Sequence, residues 1–104
     1  MDKFYEKVGE FDLLNARKMA EEHPDTFDVP DPKDLQELNP GDYVKICSGV
    51  ERFWLQLTEV TPFEFVGKVS NNVLIKGLNY GEELCLPHRF VMDSMTKEEL
   101  ANMG

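Results

Sequence analysis

The chain has 104 residues, of which 41% are hydrophobic and 11% aromatic, with a formal net charge of −9 and a pI near 4.6. That length is enough for one small domain with a core of its own and excludes two independent cores. No apolar run approaches the ~18 residues of a membrane span, and the acidity disfavours a duplex-binding protein, whose affinity comes from neutralising phosphates.

The charge is not spread evenly. Residues 1–40 hold 11 acids against 5 bases, and residues 41–93 hold 7 against 5, so the acidity belongs to an N-terminal arm and the second half is near neutral. The start, Met1 to Lys7, alternates charged and aromatic residues and lacks the basic and apolar stretches of a secretory signal, which implies a cytoplasmic protein. Cys47 and Cys85 are far apart, form no CxxC pair, and have only the scattered His23 and His88 as co-ligands. Metal spacing is therefore absent, no cofactor is implied, and free thiols are expected, with a disulfide left open if the two strands are neighbours.

In chain order, Asp2 to Val8 reads as a short helical turn ended by Gly9, and Phe11 to Glu22 as the main helix, with Asp12 as N-cap and His23-Pro24 as its stop. The Pro- and Asp-rich connector Asp25 to Pro32 is extended, and Asp31-Pro32 suits the start of a short helix through Leu35 and Leu38. Asn39 to Asp42 is a turn. Tyr43 to Ser48 alternates, with Val44 and Ile46 on one face and Tyr43, Lys45 and Cys47 on the other, and Ser48 to Glu51 makes a hairpin into the longest β-prone run, Arg52 to Val60. There Phe53, Leu55 and Leu57 face inward while Trp54, Gln56 and Thr58 face outward.

Thr61-Pro62 breaks the pairing, and Glu64 to Ser70 follows as a strand in which Gly67 marks a bulge or a close backbone approach. Asn71-Asn72 turns into Val73 to Ile75, Gly77 to Gly81 forms a loop, and Glu82 to Leu86 is a strand stopped by Pro87. Phe90 to Met92 is a last edge segment. Thr96-x-x-Glu99 has capping-box spacing and opens a C-terminal helix through Leu100 and Met103.

These elements predict one domain, mainly β with helices (α+β): a small SH3-like curled sheet or barrel at 41–93, preceded by a helical acidic arm at 1–40 and followed by a short C-terminal helix at 94–104. The arm helix is expected to cover an opening or face of the barrel.

Glu51-x-x-Trp54-Leu55-x-Leu57-x-x-Val60, Phe65-x-Gly67-x-Val69-x-Asn71, Gly77-Leu78-x-x-Gly81-Glu82-x-Leu84-x-Leu86-Pro87 and Val91-x-Asp93 together resemble the YegJ-like family of small uncharacterised bacterial domains, and similar small proteins of large DNA viruses. The resemblance spans Leu14 to Asp93. The chain departs from the pattern in having Ser94 where tryptophan follows the acidic residue. What the resemblance implies is a small barrel of uncharacterised role; it supplies no catalytic residues.

Two readings of Trp54 stand side by side: packed beneath the N-terminal arm, or a partner-binding anchor with Tyr43, Arg52 and Tyr80 nearby, residue types that dominate interface energetics. Glu51, Glu59 and Glu64 read as solvated strand-end charges and His88 as a surface histidine without a nucleophile. The run Asp25, Asp28, Asp31, Asp34 lacks the glycine and terminal glutamate of a cation loop and reads as a solvated linker. The sequence thus predicts a non-enzymatic protein-interaction or self-association module. The alternative is a nucleic-acid accessory protein using Lys45, Lys68 and the aromatics of the barrel surface.

Overall fold

A computed structural model describes residues 3–9, 11–49, 51–71 and 78–103. Its centre is a five-stranded antiparallel sheet of β3 (Tyr43–Cys47), β4 (Arg52–Val60), β5 (Glu64–Val69), β6 (Glu83–Pro87) and β7 (Val91–Met95), in the order β6-β5-β4-β3-β7. Four consecutive strands form a meander, and β7 returns to pair with the first of them. The described strands leave β6 and β7 as edges, so the sheet is not closed. The predicted strand Val73 to Ile75 lies outside the described residues.

Strict alternation builds this sheet. Val44 and Ile46 of β3, Phe53, Leu55 and Leu57 of β4, and Phe65 and Val69 of β5 are all buried on one face. Leu86, Phe90 and Val91 join them from the β6–β7 corner, a 3₁₀ turn at His88–Phe90. Burying each such side chain contributes about 1.5–3 kcal/mol, which makes this face the main source of stability. Gly67 is the expected close approach: a Cβ there would lie 3.0 Å from the Leu55 Cβ and 3.2 Å from the Gln56 carbonyl.

The N-terminal arm differs from the sequence reading. In place of the helical turn expected over Asp2 to Val8, the described residues hold a strand: β1 (Tyr5–Val8) pairs with β2 (Phe11–Leu14) as a hairpin, its turn opened by Gly9 at φ 62°. The main helix is therefore shorter, α1 (Ala16–Glu22), and Asn15, not Asp12, is its N-cap, its side chain accepting from the Lys18 N–H at 3.0 Å. The physical reason is the burial of Leu13 and Leu14. Leu13 enters the core of the large sheet and bridges to Ser48, which an extended backbone allows and the first turn of a helix does not. His23 closes α1 ahead of Pro24 as expected.

Besides the Leu13–Ser48 bridge, Glu6 ties the hairpin to the rest of the chain. Glu6 accepts from the Asn15 side chain at 2.8 Å and forms an ion pair with Arg89, 2.9 Å from Nη2, on the β6–β7 corner. Farther along, α2 (Pro32–Gln36) begins at Asp31-Pro32 and buries Leu35. The last helix, α3 (Lys97–Met103), has the predicted capping box in both directions: the Glu99 N–H donates to Thr96 Oγ1 at 3.0 Å, and the Thr96 N–H donates to Glu99 Oε1 at 3.3 Å.

Candidate interaction site

The outward face of β3 and β4 carries the side chains that alternation turns away from the core. Register sets Tyr43 opposite Gln56 on one side and Met95 on the other, and in the next outward row Lys45 opposite both Trp54 and Asp93. Trp54 is held through its backbone. Its carbonyl accepts from the Ser70 N–H at 2.9 Å and from Ser70 Oγ at 3.2 Å, while its N–H donates to the Asn71 carboxamide at 2.6 Å.

Two distant segments complete the site. Tyr80 sits in a turn tied to β5 by the Gly81 N–H donating to the Val69 carbonyl at 2.7 Å, with Gly81 at φ 83°, a conformation glycine adopts without strain. Leu100 arrives on α3, whose first turn is fixed by Asp42. That buried carboxylate accepts from the Lys97 N–H at 2.9 Å through one oxygen and from the Asn39 N–H at 2.8 Å through the other. A single aspartate thus satisfies the Asn39 turn and anchors the start of a helix far away in sequence.

The result is an open groove of about 490 Å³ in which Tyr43, Trp54, Tyr80, Met95 and Leu100 supply apolar surface, and Gln56, Ser70 and Asn71 supply hydrogen-bonding groups. Among the described residues no charged side chain lines it. Trp54 is half-buried, whereas Tyr80 is 69% exposed and Leu100 39% exposed. Chemically, such a surface accepts an apolar or aromatic side chain and offers amide and hydroxyl partners to a peptide backbone beside it.

Three of the four anticipated partner-binding residues are therefore brought together. Arg52 is not among the groove's lining residues. It lies on the same face as Trp54, exposed, opposite Cys47 and one row beyond. The groove in which Trp54 lies is lined from β3, β4, the Ser70-Asn71 segment after β5, the Tyr80 turn, β7 and α3, with no arm residue among its described lining. Met95 and Leu100 carried no sequence signal for this site; their part follows from β7 pairing with β3 and from Asp42 anchoring α3.

A second basin adjoins the first. Asp28, Asp31 and Asp34 of the arm, with Asp93 and Met92 of β7 and Lys45 of β3, surround an open volume of about 570 Å³. Lys45 is the border between the two, its ammonium lying 5.5 Å from the centre of the Trp54 ring.

The other chemistry-bearing residues singled out in the sequence lie outside the groove. Glu59 and Glu64 are exposed, and with Glu83 they surround the exposed Cys85; partial burial of the sulfur, reinforced by Glu64, pushes its thiol above the ordinary range. Both cysteines are free, with β4 and β5 between their strands. His88 is half-buried at the surface and stacked on Phe65, with ring centres 6.0 Å apart. Among the described residues no group of three or more His, Cys, Asp or Glu is placed to hold a metal ion, and no helix is long and apolar enough to cross a membrane.

Comparison with family models, curated proteins and solved structures finds no match.

Proposed function

We propose that this chain is a non-enzymatic protein-interaction module that takes its partner in the Tyr43–Trp54–Tyr80 groove. The carrying observation is the convergence of three aromatic side chains from β3, β4 and the Tyr80 turn on one groove, with Met95 and Leu100 beside them. Tyrosine and tryptophan are the residues whose truncation most often weakens interfaces, and Arg52 extends the same face. Two free cysteines suit a reducing, cytoplasmic setting.

We further read the sheet as a partly open SH3-like barrel and the chain as a YegJ-like domain. In support, the strand order β6-β5-β4-β3-β7 is a four-strand meander with a returning fifth strand. Register shifts in the β4–β5 pairing between Leu57 and Glu59, and in the β3–β7 pairing between Lys45 and Ile46, are the irregularities that curl a sheet.

A tagged chain and its Trp54→Ala and Tyr80→Ser variants, used for capture from nuclease-treated host lysate, test the interaction reading. A protein retained by the parent chain and lost from both variants is the expected result; retention unchanged by either variant overturns it.

A second reading, nucleic-acid binding, is favoured by one observation: Lys45, Arg52 and Lys68 all lie on the outward face that carries Trp54 and Tyr43. Single strands bind by stacking on aromatics within cationic grooves. Asp28, Asp31, Asp34 and Asp93 around Lys45 weigh against it. Salt-sensitive retention of nucleic acid in untreated lysate distinguishes it.

A further inference from the structure

Resting on the reading of the groove as a partner site, we infer that its occupant is a basic peptide segment: an aliphatic or aromatic side chain seated against Trp54, with flanking lysine or arginine residues over the adjoining carboxylates. The groove is the anchor. Its neighbour decides the charge of what is anchored.

The two surfaces are continuous. Tyr43 and Lys45 are two residues apart on one face of β3, Met95 and Asp93 likewise on β7, and the row Asp93, Lys45, Trp54 runs across three strands between the groove and the basin. Side chains two apart on a strand are separated by about 7 Å, so one extended peptide reaches both surfaces with alternate residues. The basin brings four carboxylates against the single ammonium of Lys45. None of the four carboxylates is ion-paired among the described residues, where the ion pairs are Lys3–Glu22 and Glu6–Arg89. Arg17 of α1 donates from Nη2 to the Pro30 carbonyl at 3.1 Å, and the neighbourhood stays net negative when it is counted.

A groove with no charged side chain among its described lining, beside carboxylates with no ion pair among the described residues, complements a cationic chain and repels an anionic one. Lys45 strengthens the assignment, because its ammonium over the indole is the contact a ligand cation would make with that ring. A basic ligand competes with Lys45, whereas an anionic ligand needs it.

Trp54 is the only tryptophan, so its emission reports occupancy of the groove directly. The probes are a short synthetic peptide of alternating lysine and leucine, its glutamate–leucine counterpart, and a thymidine oligonucleotide, each titrated into the full chain. The expected result is a saturable change in Trp54 emission with the lysine peptide alone, weakened by salt. Combining Asp28→Asn, Asp31→Asn and Asp34→Asn is expected to weaken it about tenfold or more, while Lys45→Ala leaves it unchanged or tighter. Should the triple variant fail to fold, the salt titration and Lys45→Ala carry the test.

No response to the lysine peptide, or a response insensitive to salt and to the carboxylates, overturns the inference. So does loss of the response in Lys45→Ala, or a response to either anionic probe that equals or exceeds it. Those outcomes leave the groove standing as a partner site. That role fails separately, if capture from lysate is indifferent to Trp54 and Tyr80.

Discussion

Lys45 and Trp54 stand directly opposite each other on β3 and β4, and the lysine ammonium lies 5.5 Å from the centre of the indole ring. The pair divides the outer face into an acidic basin on one side and an aromatic groove on the other. A cation over a partly exposed ring is worth about 0.5–1 kcal/mol. Lys45→Ala should therefore lower stability by no more than about that amount while shifting the Trp54 emission maximum. Fluorescence with denaturant titration checks both; an unchanged spectrum would mean that the ammonium is not over the ring in solution.

At Gly67, β5 lies close against β4. A Cβ at this position meets the Leu55 Cβ at 3.0 Å and the backbone oxygen of Gln56 at 3.2 Å, neither of which can swing aside as the tip of a long side chain would. Gly67→Ala should cost about 1–3 kcal/mol. Gly49→Ala, with nothing within 4 Å of the added carbon, is the matched control and should lie within ~0.5 kcal/mol of the parent. Equal melting of the two variants would mean that β4 and β5 are less closely packed than these distances require.

The N-terminal hairpin is attached by a contact that titrates. Hydrogen bonding from Arg89 holds the Glu6 carboxyl below its ordinary 4.5, against the opposing effect of partial burial, and Asn15 adds to the lowering. A depressed folded-state value means that the contribution is present above the unfolded value and is lost as pH falls through the folded one. The stability difference between the parent and Glu6→Gln should thus be present at neutral pH and shrink as pH drops below 4.5. Both side chains are partly exposed, so screening keeps the effect small. A difference that grows on acidification would contradict the assignment.

Asp42 links the candidate site to the core. Removing its carboxylate leaves the Asn39 and Lys97 N–H groups without their acceptor, and the cost of such losses is about 1–3 kcal/mol each when the groups stay buried. Asp42→Ala should also loosen α3 and with it Leu100, lowering groove affinity through a residue that does not line the groove. Faster hydrogen exchange of the α3 amides, beyond any change in the amides of β4, would be the clearest sign.

The β half was legible in the sequence because each strand buries alternate residues: Val44 and Ile46, then Phe53, Leu55 and Leu57, follow a period of two with turn residues between. The α3 capping box was legible for the same local reason. The arm was not. In Phe11–Leu14 two consecutive residues are buried, a pattern set by the β1 partner on one side and the Ser48 bridge on the other, and neither is visible within the segment itself. Of the site, the outward parity of Tyr43 and Trp54 could be read from alternation. Met95, Leu100 and the anchoring role of Asp42 are products of long-range pairing, and the aspartate's turn position gave no hint that its second oxygen caps α3.

The central claim, that Trp54 is an anchor for a partner and not part of the core, is tested most directly by measuring unfolding and partner capture together for Trp54→Ala, with Leu55→Ala as the reference. Leu55 is completely buried, and its truncation should cost about 2–5 kcal/mol. The account predicts that Trp54→Ala keeps the fold, costs clearly less than Leu55→Ala, and abolishes capture. A loss of stability equal to that of Leu55→Ala, or capture at the parent level, would contradict it.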